Sequence, residues 1–185
     1  MRIISGKFGG RVVKQKIPSN IRPTTDRLKE RIFNILNNYV NWDLGPIVAD
    51  IYAGTGAFGF ETISKGARHC HFFENSKKAI DLINKTAIEL QISAEFLTIY
   101  KGNALQELEK IKEKQIFFDI CFLDPPYLKN LITKALFKLI NFSLLSKNSI
   151  IIIEHSSLET IMLPKEYKII DKRIDGGSII QLLSI

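Results

Sequence analysis

Two cysteines in 185 residues are too few for a disulfide-stapled fold. Cys70 and Cys121 each stand inside an apolar, strand-like run with no metal-ligand spacing around them. Both are expected to be reduced core residues, and no metal site is expected. No apolar run approaches the roughly 20 residues of a membrane span, and the basic N-terminus lacks the apolar centre of a signal peptide. The expectation is a cytoplasmic protein with no membrane partner. Internal repeats and low-complexity blocks are also missing, which excludes a solenoid. What is left fits one main domain with a small appendage, large enough for a full hydrophobic core.

The net charge is +7, and all of it lies in the first sixth of the chain. Residues 1–31 hold nine basic side chains (Arg2, Lys7, Arg11, Lys14, Lys16, Arg22, Arg27, Lys29, Arg31) against Asp26 and Glu30. Taking these from the totals of 26 and 19 leaves 17 basic and 17 acidic residues, which cancel. A localised basic patch points to a polyanionic partner, nucleic acid first among them. The plainer alternative is a solvated surface.

The chain is organised around the stretch from Ile47 to Gly59. Ile47 to Tyr52 reads as a buried parallel strand, except for Asp50. The strand breaks into Ala53-Gly54-Thr55-Gly56, where Gly54 and Gly56 let the backbone approach a ligand. A helix from about Ala57 aims its free N–H groups at the same crevice. These glycines, with Glu74 at the distance of a ribose-binding acid, also fit the dinucleotide fingerprint. Asp50 weighs against that ligand, because a carboxylate there repels a pyrophosphate drawn to the helix N-terminus. S-adenosylmethionine, with a cationic amino group and a sulfonium, suits it better, and Glu74 is then free to accept from ribose hydroxyls. A glycine turn that merely packs strand on helix remains the bland alternative.

Arg2 to Ile4 and Arg11 to Ile17, separated by Gly6, Gly9 and Gly10, suggest a basic hairpin. Residues 1–20 are expected to form it, ahead of a main domain over 21–185. Thr24 or Thr25 is placed to cap a helix. Leu28, Ile32, Ile35, Leu36 and Tyr39 recur along that helix at helical spacing, leaving Arg27, Lys29 and Arg31 on its polar side. Arg22 and the threonines are candidates for binding phosphate or a cofactor carboxylate. After the glycine turn come a helix to Lys65, a strand His69 to Glu74, a helix from about Ser76 to Leu90 and a strand Phe96 to Tyr100. The next residues are Gly102-Asn103-Ala104. Strand Phe117 to Leu123 runs into Asp124-Pro125-Pro126-Tyr127, followed by a helix Asn130 to Phe142 and a strand Ser149 to Ile153. Tyr167 to Ile174 and Ser178 to Ile185 close the chain as a hairpin. The predicted fold is α/β and Rossmann-like, with a seven-stranded mixed sheet that is mostly parallel with an antiparallel edge. Asp50, Glu74 and Asn103, at successive strand ends, should then face one crevice.

Asp124-Pro125-Pro126-Tyr127 suits chemistry on an exocyclic base amine, a poor nucleophile because its lone pair is delocalised into the ring. The Asp124 carboxylate and the Pro125 carbonyl each accept one N–H. Pro126 has no N–H to compete for that carbonyl, and Tyr127 stacks on the base. A rigid turn closing a strand is the structural alternative.

With these motifs in place, the chain resembles the small-subunit ribosomal RNA guanine-N2 methyltransferases of the RsmD type over nearly its full length. The likeness includes Met1-Arg2-Ile3-Ile4-Ser5-Gly6-Lys7-Phe8, Arg22-Pro23-Thr24-Thr25-Asp26-Arg27 through Asn34, Asp50 to Gly56, and Asp124 to Tyr127. The Arg-Pro-Thr-Thr-Asp-Arg segment is the specific signal. The resemblance implies methyl transfer from S-adenosylmethionine to a guanosine in 16S rRNA or the assembling small subunit, by a monomer. It implies that Asp50, Gly54 and Gly56 hold the methionine part, Glu74 the ribose and Asn103 the adenine edge, with Ala53, Thr55, Asn75 and Ala104 also binding the cofactor. Many relatives in the wider methyltransferase superfamily have Asp where this chain has Asn103. Asp124, Pro125, Pro126 and Tyr127 would engage the base, with Asp124 also beside the cofactor. Arg2, Lys7, Arg11, Lys14, Lys16, Arg22, Thr24 and Arg27 would bind RNA. An adenine-N6 methyltransferase would use the same Asp-Pro-Pro-Tyr, but no span is free to form a target-recognition domain. A protein glutamine methyltransferase gives little reason for the basic hairpin. An NAD-dependent oxidoreductase leaves Asp50 and Asp124 to Tyr127 without a role.

Overall fold

The computed structural model describes residues 1–14, 25–126, 130–175 and 177–185, with Asp175 described by its backbone alone. Seven strands form one sheet: β1 (Ile47–Ile51), β2 (His69–Glu74), β3 (Leu97–Lys101), β4 (Phe118–Leu123), β5 (Leu145–Ser156), β6 (Lys168–Asp175) and β7 (Ser178–Ser184). Their order is β3-β2-β1-β4-β5-β7-β6, parallel from β3 through β5. β7 runs antiparallel between β5 and β6. The closing hairpin makes this edge of the sheet antiparallel, as expected, with the reversed strand β7 second from the edge and β6 outside it running with the others. Side chains explain the order. Ile180, Leu182 and Leu183 of β7 are fully buried, whereas β6 carries Lys168, Asp171, Lys172 and Arg173, the charged set that suits an open edge.

Alternation along the strands sends side chains to two cores. Val48, Phe72, Ile120, Phe122, Ile152 and Leu182 face one side, under α1 (Asp26–Leu36), α2 (Ala57–Lys65) and α3 (Lys77–Glu89). Ala49, Ile51, Phe73, Leu123, Ile151 and Ile153 face the other, under α4 (Ala104–Lys110) and α5 (Leu131–Asn141). Both cysteines are buried and unbridged. No helix among the described residues is long and apolar enough to cross a membrane.

The predicted elements fall close to their places, with three differences that have physical causes. β5 begins at Leu145 rather than Ser149, because its first residues are half-buried or exposed and include Lys147 and Asn148, which carry no apolar signal. α4 was not expected; in its seven residues only Ala104, Glu107 and Leu108 are buried, too few for a visible period. Tyr39 lies past the end of α1 and is 45% exposed, so the apolar stripe stops at Leu36. Thr25 caps α1, accepting from the Leu28 N–H at 3.2 Å.

Lys29 is the larger correction. Placed on the polar side of α1 by the periodicity, it is instead fully buried. Its Nζ lies 3.9 Å from Oε2 of Glu61, also fully buried, and donates to the Arg2 carbonyl. Residues 1–14 double back through a turn of 3-10 helix at Gly6–Phe8, and their strand pairing is reduced to a bridge between Arg2 and Val12. The segment adds Ile3, Phe8 and Val13 to the core on the α2 side. The remainder of the expected hairpin, beyond Lys14, lies outside the described residues.

Candidate active site at the carboxyl edge of the sheet

The strand order reverses at β1, which has β2 on one side and β4 on the other. Such a switch point opens a crevice at the carboxyl ends of the strands. A cavity of about 610 Å³ occupies it, within the usual range for a small-molecule site. The ends of all four strands from β1 to β4 contribute to its wall. Asp50, Ala53, Gly54, Thr55, Glu74, Asn75, Asn103, Ala104, Asp124, Pro125 and Pro126 all line it. Gly56 does not. It caps α2 behind the wall at φ +75°, where an added Cβ would press on Phe60, Ile83 and Phe72. Tyr127, predicted to stack on the base, lies outside the described residues.

Asp50 sits in the middle of the sheet, paired in register with Phe72 on β2 and Phe122 on β4. Its exposure is 1%, and its Oδ2 accepts the Gly59 N–H at 3.0 Å. Burial raises its carboxyl well above the ordinary range; the Gly59 N–H opposes the rise, and the Asp124 and Glu74 carboxylates add to it. The contact depends on close approach of α2 to β2. A Cβ on Gly59 would stand 2.3 Å from the Phe72 ring.

Glu74 is held before any ligand arrives. Oε2 accepts the Gly54 N–H at 2.8 Å, and Oε1 accepts the N–H groups of Asn75 at 2.9 Å and Ser76 at 2.7 Å. A carboxylate has about four acceptor sites, so about one remains for a ribose hydroxyl. Asn103 caps α4, its Oδ1 accepting from Leu105 at 3.0 Å and Gln106 at 3.3 Å. Its amide nitrogen is what the cap leaves for a ligand.

The aromatic part of the wall escaped sequence reasoning. Tyr52, Phe58, Phe73, Phe122 and Leu131 line the cavity, together with Ser76, Ala79 and Gly102. Tyr52 is the most distinctive of these. It adopts φ +70°, a costly conformation for a side chain of its size, and its buried hydroxyl has no hydrogen-bond partner. Burial raises the pKa of that hydroxyl. The one signal for it was its place between the strand and the glycines.

Among the described residues of the wall are three carboxylates, Asp50, Glu74 and Asp124, and no lysine, arginine or histidine. That is hostile to a pyrophosphate and hospitable to a cation. The expected RNA-binding residues lie elsewhere. Arg2, Lys7, Arg11, Lys14 and Arg27 are exposed and do not line the cavity, while Lys16, Arg22 and Thr24 lie outside the described residues.

A dinucleotide-binding sheet of order 3-2-1-4-5-6 has no reversed strand inserted near its end; with one, this sheet is that of the class I methyltransferases. The Escherichia coli protein yhhF, provisionally described as a methyltransferase, superposes with a TM-score of 0.85 at 26% identity, over 100% of this chain and 97% of its own. HI0767 of Haemophilus influenzae, provisionally described as a methylase, gives 0.81 at 29% identity over 99% and 97%. Within the class the assignment is narrower. Residues 1–184 match the family model described as Conserved hypothetical protein 95. The chain is 35% identical to ribosomal RNA small subunit methyltransferase D of Buchnera aphidicola, over 93% of this chain and 86% of that one. It belongs to this family, that of the RsmD-type methyltransferases.

Proposed function

We propose that the chain transfers a methyl group from S-adenosylmethionine to the exocyclic N2 of a guanosine in small-subunit ribosomal RNA, acting as a monomer in the cytoplasm. One observation carries the reading: Asp124-Pro125-Pro126 borders the same acid-walled cavity as Asp50 and Glu74. When bound, S-adenosylmethionine supplies a methyl group made electrophilic by its sulfonium. Asp50 faces the cationic amino group, with the glycine turn beside it, and Glu74 offers its remaining acceptor site to the ribose. The Asn103 amide meets the adenine edge, and Phe58, Phe73 and Phe122 exclude water. Asp124 and the Pro125 carbonyl accept the two hydrogens of the base amine, aligning its lone pair for an in-line approach. Tyr127, outside the described residues, is assigned by its motif to stack on the base.

The test is methylation of isolated rRNA and of 30S particles with labelled S-adenosylmethionine, the modified nucleotide being mapped by mass spectrometry. N2-methylguanosine in one of the two substrates is the expected product. N6-methyladenosine, or calorimetric binding of NAD in place of S-adenosylmethionine, would overturn the reading. Light scattering at working concentration checks the monomer.

A further inference from the structure

We propose that Glu61 is a positioning residue that, with Gly6 and Ser64, fixes the basic N-terminal segment at one place beside the cofactor turn, so that RNA bound there is presented to the site. The proposal rests on the reading of that segment as RNA-binding. Glu61 is fully buried in the middle of α2. A buried carboxylate there contributes nothing to the helix itself, and an apolar side chain would pack with less desolvation. Its oxygens are spent on the far end of the chain. Oε2 accepts the Ile4 N–H at 2.9 Å, and Oε1 accepts the Ser5 N–H at 2.8 Å and the Ser5 hydroxyl at 3.1 Å. Lys29 of α1, 3.9 Å from Oε2, donates to the Arg2 carbonyl and closes the arrangement. Farther along α2, Ser64 accepts the Phe8 N–H at 2.9 Å and donates to the Ser5 carbonyl.

Three features separate this from ordinary packing. The grip is on backbone groups, so Arg2, Lys7, Arg11 and Lys14 stay exposed. The grip also belongs to the helix whose Gly59 N–H holds Asp50 and whose first turn follows the glycine loop. α2 is a strut with the cofactor turn at one end and the basic segment along its side. Finally, Gly6 lies at φ +77° with its position for a Cβ 1.9 Å from the Ser64 carbonyl oxygen, a fit that no other residue makes. A free basic arm would carry the same charge and pay to order itself on each encounter. A docked one offers its cations already placed, and placement errors of about 1 Å are costly to a positioned reaction.

The test uses the full chain, and the two positioning variants retain all nine basic residues of 1–31. Gly6→Ala forces the segment off Ser64, and Glu61→Gln replaces one acceptor oxygen by a donor facing either the Ile4 or the Ser5 N–H. In both, KM for RNA is expected to rise about tenfold, with S-adenosylmethionine affinity and kcat at saturating RNA within about twofold. A lowered melting temperature with unchanged KM in both variants would make the contact merely structural and overturn the proposal. If Glu61→Gln does not fold, Gly6→Ala decides. A Lys7→Ala, Arg11→Ala, Lys14→Ala triple variant separates the two levels. If it raises KM and the positioning variants do not, positioning alone is wrong; if it leaves KM unchanged, the RNA reading of the segment fails and the proposal with it.

Discussion

Asp50 carries a proton further up the pH scale than an ordinary aspartate. Burial is the main cause, with Asp124 and Glu74 adding to it against the Gly59 N–H. The folded chain thus holds a proton that the unfolded chain has lost above about pH 3.8, so this group's contribution to stability falls as pH rises from there to the raised value. An ammonium ligand needs the ionised form. S-adenosylmethionine affinity should therefore climb with pH through that window, and binding should release a proton. Calorimetry in two buffers of different ionisation enthalpy measures the release, and Asp50→Asn should abolish it. A wild-type protein that releases none would remove Asp50 as the ammonium's partner. Asp50→Ala should weaken binding by roughly 1.5–3 kcal/mol, the range for a hydrogen bond to a charged group. Asp124→Ala tests the other role: turnover should drop by orders of magnitude with cofactor affinity within a few-fold. Loss of affinity with turnover kept at saturation would reverse the assignment. At this scale the acids were legible because a carboxylate ending an apolar strand is out of place. Tyr52, Phe58 and Phe122 were not, because an aromatic in an apolar run reads as core whether it faces other side chains or a ligand.

α1 and α2 show where periodicity stops being informative. The apolar stripe of α1 identifies the buried face, but a lysine at its margin reads as solvated: Asp26 of the same helix, 3.3 Å from its Nζ, fits that reading, and the buried Glu61, 3.9 Å away, belongs to another helix. Lys29→Met should remove one partner of a buried pair, a change that typically costs about 3–5 kcal/mol. Glu61 keeps its three donors from Ile4 and Ser5, so a loss near the lower limit, about 3 kcal/mol, is expected. Urea unfolding would register it as a lower midpoint at unchanged slope. A loss under about 1 kcal/mol would be that of a surface pair and would contradict the burial. The other elements divide along the same line. The termini of α2 and β2 were legible to the residue, since Gly66 caps one and Glu74 ends the other. α4 was too short to show a period. The exchange of β6 and β7 depends on which strand is polar enough for the edge, a comparison between strands that neither strand's own pattern contains.

For the molecule as a whole, charge is divided between two places. The cavity wall holds Asp50, Glu74 and Asp124, and the net positive charge of the chain lies in residues 1–31. A polyanion is drawn to the segment and repelled by the cavity, so the RNA backbone should rest on the segment while a single base, neutral and unstacked, enters. Unstacking costs a few kcal/mol for a paired base and less in a loop, which favours a single-stranded or loop target. If four to six of the basic side chains of residues 1–31, the buried Lys29 excepted, meet phosphates, log affinity for RNA should fall against log salt with a slope of roughly −3 to −5, at about 0.7 to 0.9 per contact. Lys7, Arg11 and Lys14 are all exposed. Replacing all three with Ala should flatten that slope by roughly 2 to 3, with cofactor affinity unchanged. Filter binding of rRNA across a salt series measures both lines. Equal slopes for wild type and triple variant would mean that these cations meet solvent rather than phosphate, and the RNA surface would have to be sought elsewhere on the protein.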